Sequence, residues 1–590
     1  MTAATRLGDA RARAAGSATS ELVAAARLPP RWVRASVLQH GVWLVTVVLV
    51  LGPVVPIVWA SLWSEPLYRS GGSFTLAHYR DLLADTEWWS AVRSSLVFAG
   101  LTTAGALTAG TLLALTLERT NVPGRRVFRN LVLLPVALPG LVLIIGWTSM
   151  WAPFGYATQW VEDHTPIPVP FDLYSVSGMA MVATSVIGPI VMLYLRSALA
   201  SIDPSLEQAA RTAGAAPARV LRTVTLPLLR PALLNSGVIV FAISLEMLGL
   251  PLILGGAANV HLISNYLYDH WISAAVPDEG LVAAGAVLLL ATVTLLLFVR
   301  NRLVGDAARF VTTTGKPKAA TTIDLGPWRW FASGAVVLWI TVTLAVPIGG
   351  VVLTAFTELL TPFIDPWTVL TTEHFRAVFD NPTYTRAIRN SIMIATLGGL
   401  LATFAIAVIT MVAHRSSFRW RGSLQHVVMY PRAMPGLVTG MAFFWAYVVL
   451  DPTGTMLSSL WALGLAFAVR SLALGYSAMY PALTALGEDL DRAARVAGAN
   501  WWTTMRTLIL RLMLPAMGGA FVLLFVAMLN DYDPAMFMAT PRTQVTGYVM
   551  MQLSLTGIAG PVAALGVIQM AITFTVLGLG RLVVGARPHA

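Results

Sequence analysis

The sequence predicts an all-α polytopic membrane protein, with about twelve transmembrane helices set out as two parallel repeats of six. Three observations carry that expectation. Mean hydropathy is +0.72, with 56% hydrophobic and only 11% charged residues over 590 positions, where a soluble domain carries about 25% charged residues. Apolar runs of the ~20 residues that a helix needs to cross a bilayer recur along the whole chain. A polar, basic stretch between two such runs has a second copy 284 residues later.

The apolar runs lie near 41–62, 92–117, 128–151, 175–199, 232–256 and 281–299, and again near 330–356, 388–413, 425–450, 458–483, 516–538 and 559–584. Runs of this length in lipid must satisfy their own backbone hydrogen bonds, so they read as helices. The duplicated stretch is LEQAARTAGAAPARVLRTVTLPLLRP at 206–231 and LDRAARVAGANWWTTMRTLILRLMLP at 490–515. Earlier in each half the offset is 296: Pro135, Pro139 and Gly140 fall on Pro431, Pro435 and Gly436. These prolines and glycines predict kinks in the third helix of each half.

Lys and Arg set the orientation. With the N-terminus inside, the segments 1–40, 118–130, 196–231, 300–329, 414–424, 485–515 and the C-terminus hold 30 of the 39 basic residues. That bias places both termini and both copies of the duplicated stretch in the cytoplasm, and it accounts for the net charge of +11 without nucleic acid. Residues 1–40 then read as a cytoplasmic segment ahead of an uncleaved first span. Residues 41–299 form the first half, 300–329 a cytoplasmic linker and 330–590 the second half. The absence of cysteine excludes disulfides and thiolate metal sites. His164, His261, His270 and His374 show no metal-ligand spacing.

Each copy of the duplicated stretch, within 201–231 and 485–515, is built as a hairpin at the membrane surface. Asp203-Pro204 starts a helix, Gly214 stops it, and Pro217 opens a second helix expected to end near Leu226-Pro227. Small Ala209, Ala210 and Gly214 let another backbone approach. Arg211, Arg219 and Arg222 supply a solvated face.

This pattern resembles the EAA loop of binding-protein-dependent ABC importer permeases: Glu-Ala-Ala, three residues, Gly, nine residues, Ile-x-Leu-Pro. The first copy gives Gln208-Ala209-Ala210, Gly214 and Val224-Thr225-Leu226-Pro227; the second gives Arg492-Ala493-Ala494, Gly498 and Leu508-Ile509-Leu510-Arg511. The first position departs in both copies, with acidic Glu207 and Asp491 immediately before it, and the final proline is Arg511 in the second. The resemblance covers essentially the whole chain. It implies the type I importer (MetI-like) permease fold in the plasma (inner) membrane of a bacterium. It also implies docking of both loops, through Glu207, Gln208, Ala209, Ala210 and Gly214 and through Arg492, Ala493, Ala494 and Gly498, on a cytoplasmic ABC ATPase dimer. An extracytoplasmic substrate-binding protein would deliver the substrate. No GxxxxGK[ST] stretch occurs in this chain, so ATP and magnesium would be bound by the separate ATPase and this subunit would not itself be an enzyme.

Charges inside apolar runs are costly and mark a cavity or a partner. Glu246, Arg470, Asp531 and Asp533 are the candidates for a translocation path, with Arg432 a fifth charge in the runs. A structural pairing of Arg470 with Asp531 is the alternative reading. Trp501 and Trp502 fit either the ATPase cleft or the headgroup layer. Fused halves resemble the ferric-iron, thiamine and aminoethylphosphonate importers, and ferric iron is the first expectation, ahead of thiamine, polyamine or phosphonate. A major facilitator type secondary transporter is the rival class. The segment Glu118 to Gly124 lacks its basic motif, and the paired loops would go unexplained.

Overall fold

The computed structural model describes residues 36–166, 169–304 and 322–585. Most of the N-terminal segment 1–40 and the centre of the linker 300–329 lie outside these residues. The described chain is helical, with three isolated bridges as its only strand-like pairings. It contains eleven helices long and apolar enough to cross a membrane, and a twelfth if one bent pair is taken as a single span.

Eight helices define the first half: α1 Val37–Ser61, α2 Thr86–Arg119, α3 Arg125–Leu133, α4 Gly140–Trp151, α5 Val176–Ser201, α6 Pro204–Thr212, α7 Pro217–Glu246 and α8 Glu279–Arg302. The second half repeats them: α9 Trp328–Phe356, α10 Pro382–Arg415, α11 Arg421–Met429, α12 Gly436–Leu450, α13 Leu460–Ala485, α14 Asp489–Val496, α15 Trp501–Asn530 and α16 Ala559–Leu582. The expected kinks in the third spans are breaks. In the second half the chain bends by 110° between Arg421–Ala433 and Gly436–Leu450. Pro435 supplies no N–H and sits extended, so α12 starts afresh behind it; Pro139 does the same ahead of α4.

One expectation fails in both halves. The second arm of each hairpin does not end near Leu226-Pro227. It runs on as the fifth span, so that span begins at Pro217 and Trp501, not near 232 and 516, and ends at Glu246 and Asn530. A single π-helical turn, Leu221–Thr225, lets the chain pass Pro227: the Leu226 amide bonds five residues back to Leu221 O. The widened turn re-routes the hydrogen bonds where the proline ring would otherwise clash. The same turn recurs at Met505–Ile509, where Leu510 bonds to Met505 O and Arg511 replaces the proline, so the turn belongs to the position and not to the proline alone.

The halves interlock. α1 packs on α10 and α11, with its second part on α12, while α9 packs on α3, α4 and α16. Each first helix thus lies on the other half's broken third span. Trp43 Nε1 donates to Ser423 Oγ at 2.9 Å across this contact. The largest apolar core includes buried residues of both halves, among them Leu141, Tyr266, Trp445 and Met550.

Candidate functional site: two clamped loops and an ion cluster between the halves

The two hairpins have the same local build. α6 and α14 both end in a glycine with positive φ, Gly214 at +82° and Gly498 at +81°. The amide of Ala215 bonds to Ala210 O at 3.0 Å and that of Gly214 to Arg211 O at 2.9 Å; Ala499 to Ala494 O and Gly498 to Arg495 O repeat both distances. This is the Schellman closure, which requires a residue at ease in the left-handed region. Gln208, Ala209 and Gly214 are exposed, as are Arg492, Ala493 and Gly498, while Ala210 and Ala494 are half-buried. A side-chain carbon added at either glycine would meet nothing within 4 Å. The outer face of each hairpin is therefore open.

The acid that precedes each motif turns inward. Glu207 is buried against Arg119, the last residue of α2, with Arg119 Nη1 to Glu207 Oε2 at 3.4 Å and side-chain exposures of 3% and 4%. The other guanidinium nitrogen, Nη2, donates to Leu199 O near the end of α5 at 3.1 Å. Asp491 meets Arg415, the last residue of α10, at 2.6 Å, and Arg415 Nη2 donates to Leu483 O at 3.0 Å. Arg119 and Arg415 are related by the 296 offset, and Leu199 and Leu483 by 284, so the clamp recurs in both halves with Asp491 in place of Glu207. Glu207 was expected to dock the ATPase, but its burial removes it from the outer face. Its carboxylate is tied to α2 through Arg119 and to Thr225, whose hydroxyl donates to Glu207 Oε1 at 3.0 Å. The two arginines escaped the sequence reading, although the 296 offset aligns them.

The clamps differ in what surrounds them. Thr225 has Ile509 as its counterpart, and Asp491 Oδ1 is buried without a hydrogen-bond partner. Trp501 is buried and its Nε1 donates to Arg415 O at 2.7 Å. Trp501 is thus part of the permease packing and reaches neither an ATPase cleft nor headgroups, whereas Trp502 is exposed. The Arg119 carbonyl instead accepts from the linker amide of Ile323 at 2.7 Å.

The four path candidates come together. Arg470 on α13 pairs with Asp531 and, at 3.0 Å through Nη2, with Asp533. Both acids follow α15 directly. Glu246, the last residue of α7, faces the same group from the other half, beside the backbone amide of Gly436. Gly436 starts α12, and the positive end of that helix adds to the attraction. A side-chain carbon at Gly436 would overlap Asp533 Oδ2 at 2.4 Å and Arg470 Cζ at 2.5 Å. The structural pairing of Arg470 with Asp531 is present, and it joins a cluster of three carboxylates and one guanidinium at the junction of the halves. Arg432 lies apart, exposed at the third-span break, and donates to Tyr194 Oη at 2.7 Å.

These features define an integral membrane subunit of two homologous halves, each carrying one exposed surface hairpin. The chain belongs to the family of binding-protein-dependent transport system inner membrane components, whose profile matches residues 106–308 and 404–586. It is a fused two-half permease of the MetI-like type and a multi-pass inner-membrane protein. It is similar to ferric transport system permease proteins: FbpB 1 by name in Haemophilus influenzae, 26% identical over 440 residues, 73% of this chain and 67% of the relative. FbpB of Actinobacillus pleuropneumoniae is also 26% identical, over 477 residues, 78% of this chain and 66% of the relative. The chain thus spans about two thirds of the length of these relatives. It is 33% identical to the molybdenum transport system permease protein ModB of Escherichia coli K12 over 168 residues, 28% of this chain and 72% of that one. A chain of a solved bacterial ABC transporter for the acidic polysaccharide alginate aligns over 43% of this chain and 95% of its own length, at 17% identity and a TM-score of 0.35.

Proposed function

We propose that this permease forms the membrane path of an ATP-driven ferric-iron importer, with its two hairpins seated in a separate cytoplasmic ATPase dimer that binds ATP and magnesium. The observation that carries the reading is the pair of identically built, outward-open hairpins, around Gln208, Ala209, Ala210 and Gly214 and around Arg492, Ala493, Ala494 and Gly498. Both termini then face the cytoplasm, and a binding protein presents substrate from outside. ATP-driven closure of the ATPase carries the hairpins toward each other and rocks the halves about their junction. The ferric assignment rests on the likeness to ferric permeases over most of the chain and on the surplus of carboxylates at Glu246, Asp531 and Asp533. In this reading the cluster acts as an electrostatic lining; among the described residues no group of three or more His, Asp or Glu side chains is placed to hold a metal ion.

Co-purification with the ATPase, followed by vanadate-sensitive ATP hydrolysis in lipid, tests the importer reading; failure to form a stable complex refutes it. Glu246→Gln is expected to lower uptake of radioactive ferric iron from the loaded binding protein by about tenfold, the loss that one weakened charge interaction of ~1.4 kcal/mol produces. Unchanged uptake with normal assembly would remove Glu246 from the path.

A further inference from the structure

The Arg119–Glu207 and Arg415–Asp491 clamps lie beneath the surface that faces a partner, so docking does not use them. We propose that Arg119 and Arg415 are positioning residues of transport coupling: each locks its hairpin to the ends of two membrane helices, so that a push on the hairpin moves those helices. This rests on the importer reading above and names the parts that deliver its motion.

The connections on either side of α6 are short and non-helical. Ile202 and Asp203 join it to α5, and Gly214 with three further residues joins it to α7. A hairpin held only by these links would swing when pushed. One guanidinium removes the swing on the α5 side: Arg119 ends α2, holds Glu207 on α6 and donates to Leu199 O on α5. Arg415 does the same for α10, α14 and α13 through Asp491 and Leu483 O. Three elements thus meet at one buried planar group, whose fork fixes direction as well as distance. A buried ion pair is a poor device for stability alone, since packed apolar side chains often do as well. Its recurrence in both halves, at the one place where hairpin and span ends converge, points to stiffness. Flanking residues have diverged, Glu118 to His414 and Pro123 to Arg419, while the clamp keeps its arginine and a carboxylate, Glu207 in one half and Asp491 in the other.

The test uses the full chain reconstituted with its ATPase and a binding protein loaded with radioactive ferric citrate. Uptake and ATP hydrolysis are measured together, and the readout is iron imported per ATP hydrolysed. A residue that merely stabilises the fold lowers both in proportion and leaves this ratio unchanged. Arg119→Met with Glu207→Leu replaces the pair by apolar side chains that can still pack. The expected result is normal assembly, retained basal hydrolysis and a ratio reduced about tenfold, within the range for changes in coupling between sites. The matching pair Arg415→Met with Asp491→Leu is expected to lower the ratio as well. Arg119→Lys, which keeps charge but not the fork, should fall between these variants and the wild type. A wild-type ratio in the double variants overturns the proposal. If they fail to assemble, Arg119→Lys decides, and a wild-type ratio there overturns it equally. Wild-type complex that shows no substrate-stimulated hydrolysis refutes the importer reading itself, before any variant is compared.

Discussion

Glu246 and Asn530 occupy the same place in the two halves, 284 residues apart at the ends of α7 and α15. Each reaches across to the break in the other half's third span. Glu246 faces the Gly436 amide beside Arg470, whereas Asn530 Nδ2 donates to Ala137 O at 3.3 Å. The first contact involves ions and the second a neutral amide, which Gln569 supports at 3.2 Å. Arg470, Asp531 and Asp533 have Val186, Met247 and Gly249 as their counterparts. The duplicated scaffold has thus kept its geometry and gathered its charges at one of the two third-span breaks, three from the second half and Glu246 from the first. On the function proposed above, the hairpins meet two alike partners and keep their symmetry, while the path serves a single passing ligand and carries one charged surface.

The sharpest way to break this comparison is a pair of equivalent substitutions. Gly436→Ala drives a methyl group into Asp533 and Arg470, and overpacking at such a site costs about 1–3 kcal/mol. Gly140→Ala, at the matching position, meets nothing within 4 Å and should be silent. Apparent Tm in detergent and iron uptake should both fall for the first and neither for the second; equal effects would mean that the junction is symmetric after all.

At the hairpins the comparison predicts near-equality with a tilt. Valine at Gly214 or Gly498 forces a branched side chain to positive φ and fills the open face. The backbone term alone costs about 1–2 kcal/mol, up to roughly tenfold in an equilibrium. The protein should insert normally and uptake should drop for both. The drop should be larger at Gly214, because the second copy departs further from the EAA pattern at Arg492 and Arg511. Equal losses in uptake and in ATPase co-purification would show that the two loops couple alike.

The smallest effect concerns what lies under the clamps. Thr225→Val removes the hydroxyl that Glu207 Oε1 accepts and should cost about 1 kcal/mol in apparent stability. Ile509→Thr offers Asp491 Oδ1 a donor that it lacks and should stabilise by less, about 0.5 kcal/mol. Thermal unfolding of both variants, compared with wild type, sets the sign of each; a loss on Ile509→Thr would mean that the isoleucine packing outweighs the unmet oxygen.

Much of this architecture was legible in the residues. Hydropathy gave the spans, the two offsets gave the halves, and Pro139-Gly140 with Pro435-Gly436 marked where the third spans break. What escaped was whatever depends on contacts between distant segments. Pro227 reads as a helix stop, because a π-helical turn leaves no mark in composition. Glu207 reads as a docking acid from its place beside the motif; only the end of α2, folded alongside, turns it inward. The 284 offset sets Glu246 against Asn530, and nothing in the string shows that each faces the opposite half. The exchange of first helices is equally silent, since α1 and α9 carry the same apolar signature whichever neighbour they meet.

That exchange bears on how the protein is made. Trp43 finds Ser423 only after 380 further residues have been added, which at about 5–20 residues per second takes roughly 20–80 seconds of synthesis. Throughout that interval α1 lacks its second-half neighbours, though its second part also packs on α8, and α3 and α4 wait for α9. The first half therefore cannot finish packing as an independent unit, and the last native contacts close when the nascent chain is nearly complete. A ribosome stalled in the linker would leave an inserted six-span intermediate with its interlocking surfaces exposed, the form that membrane quality control is best placed to recognise.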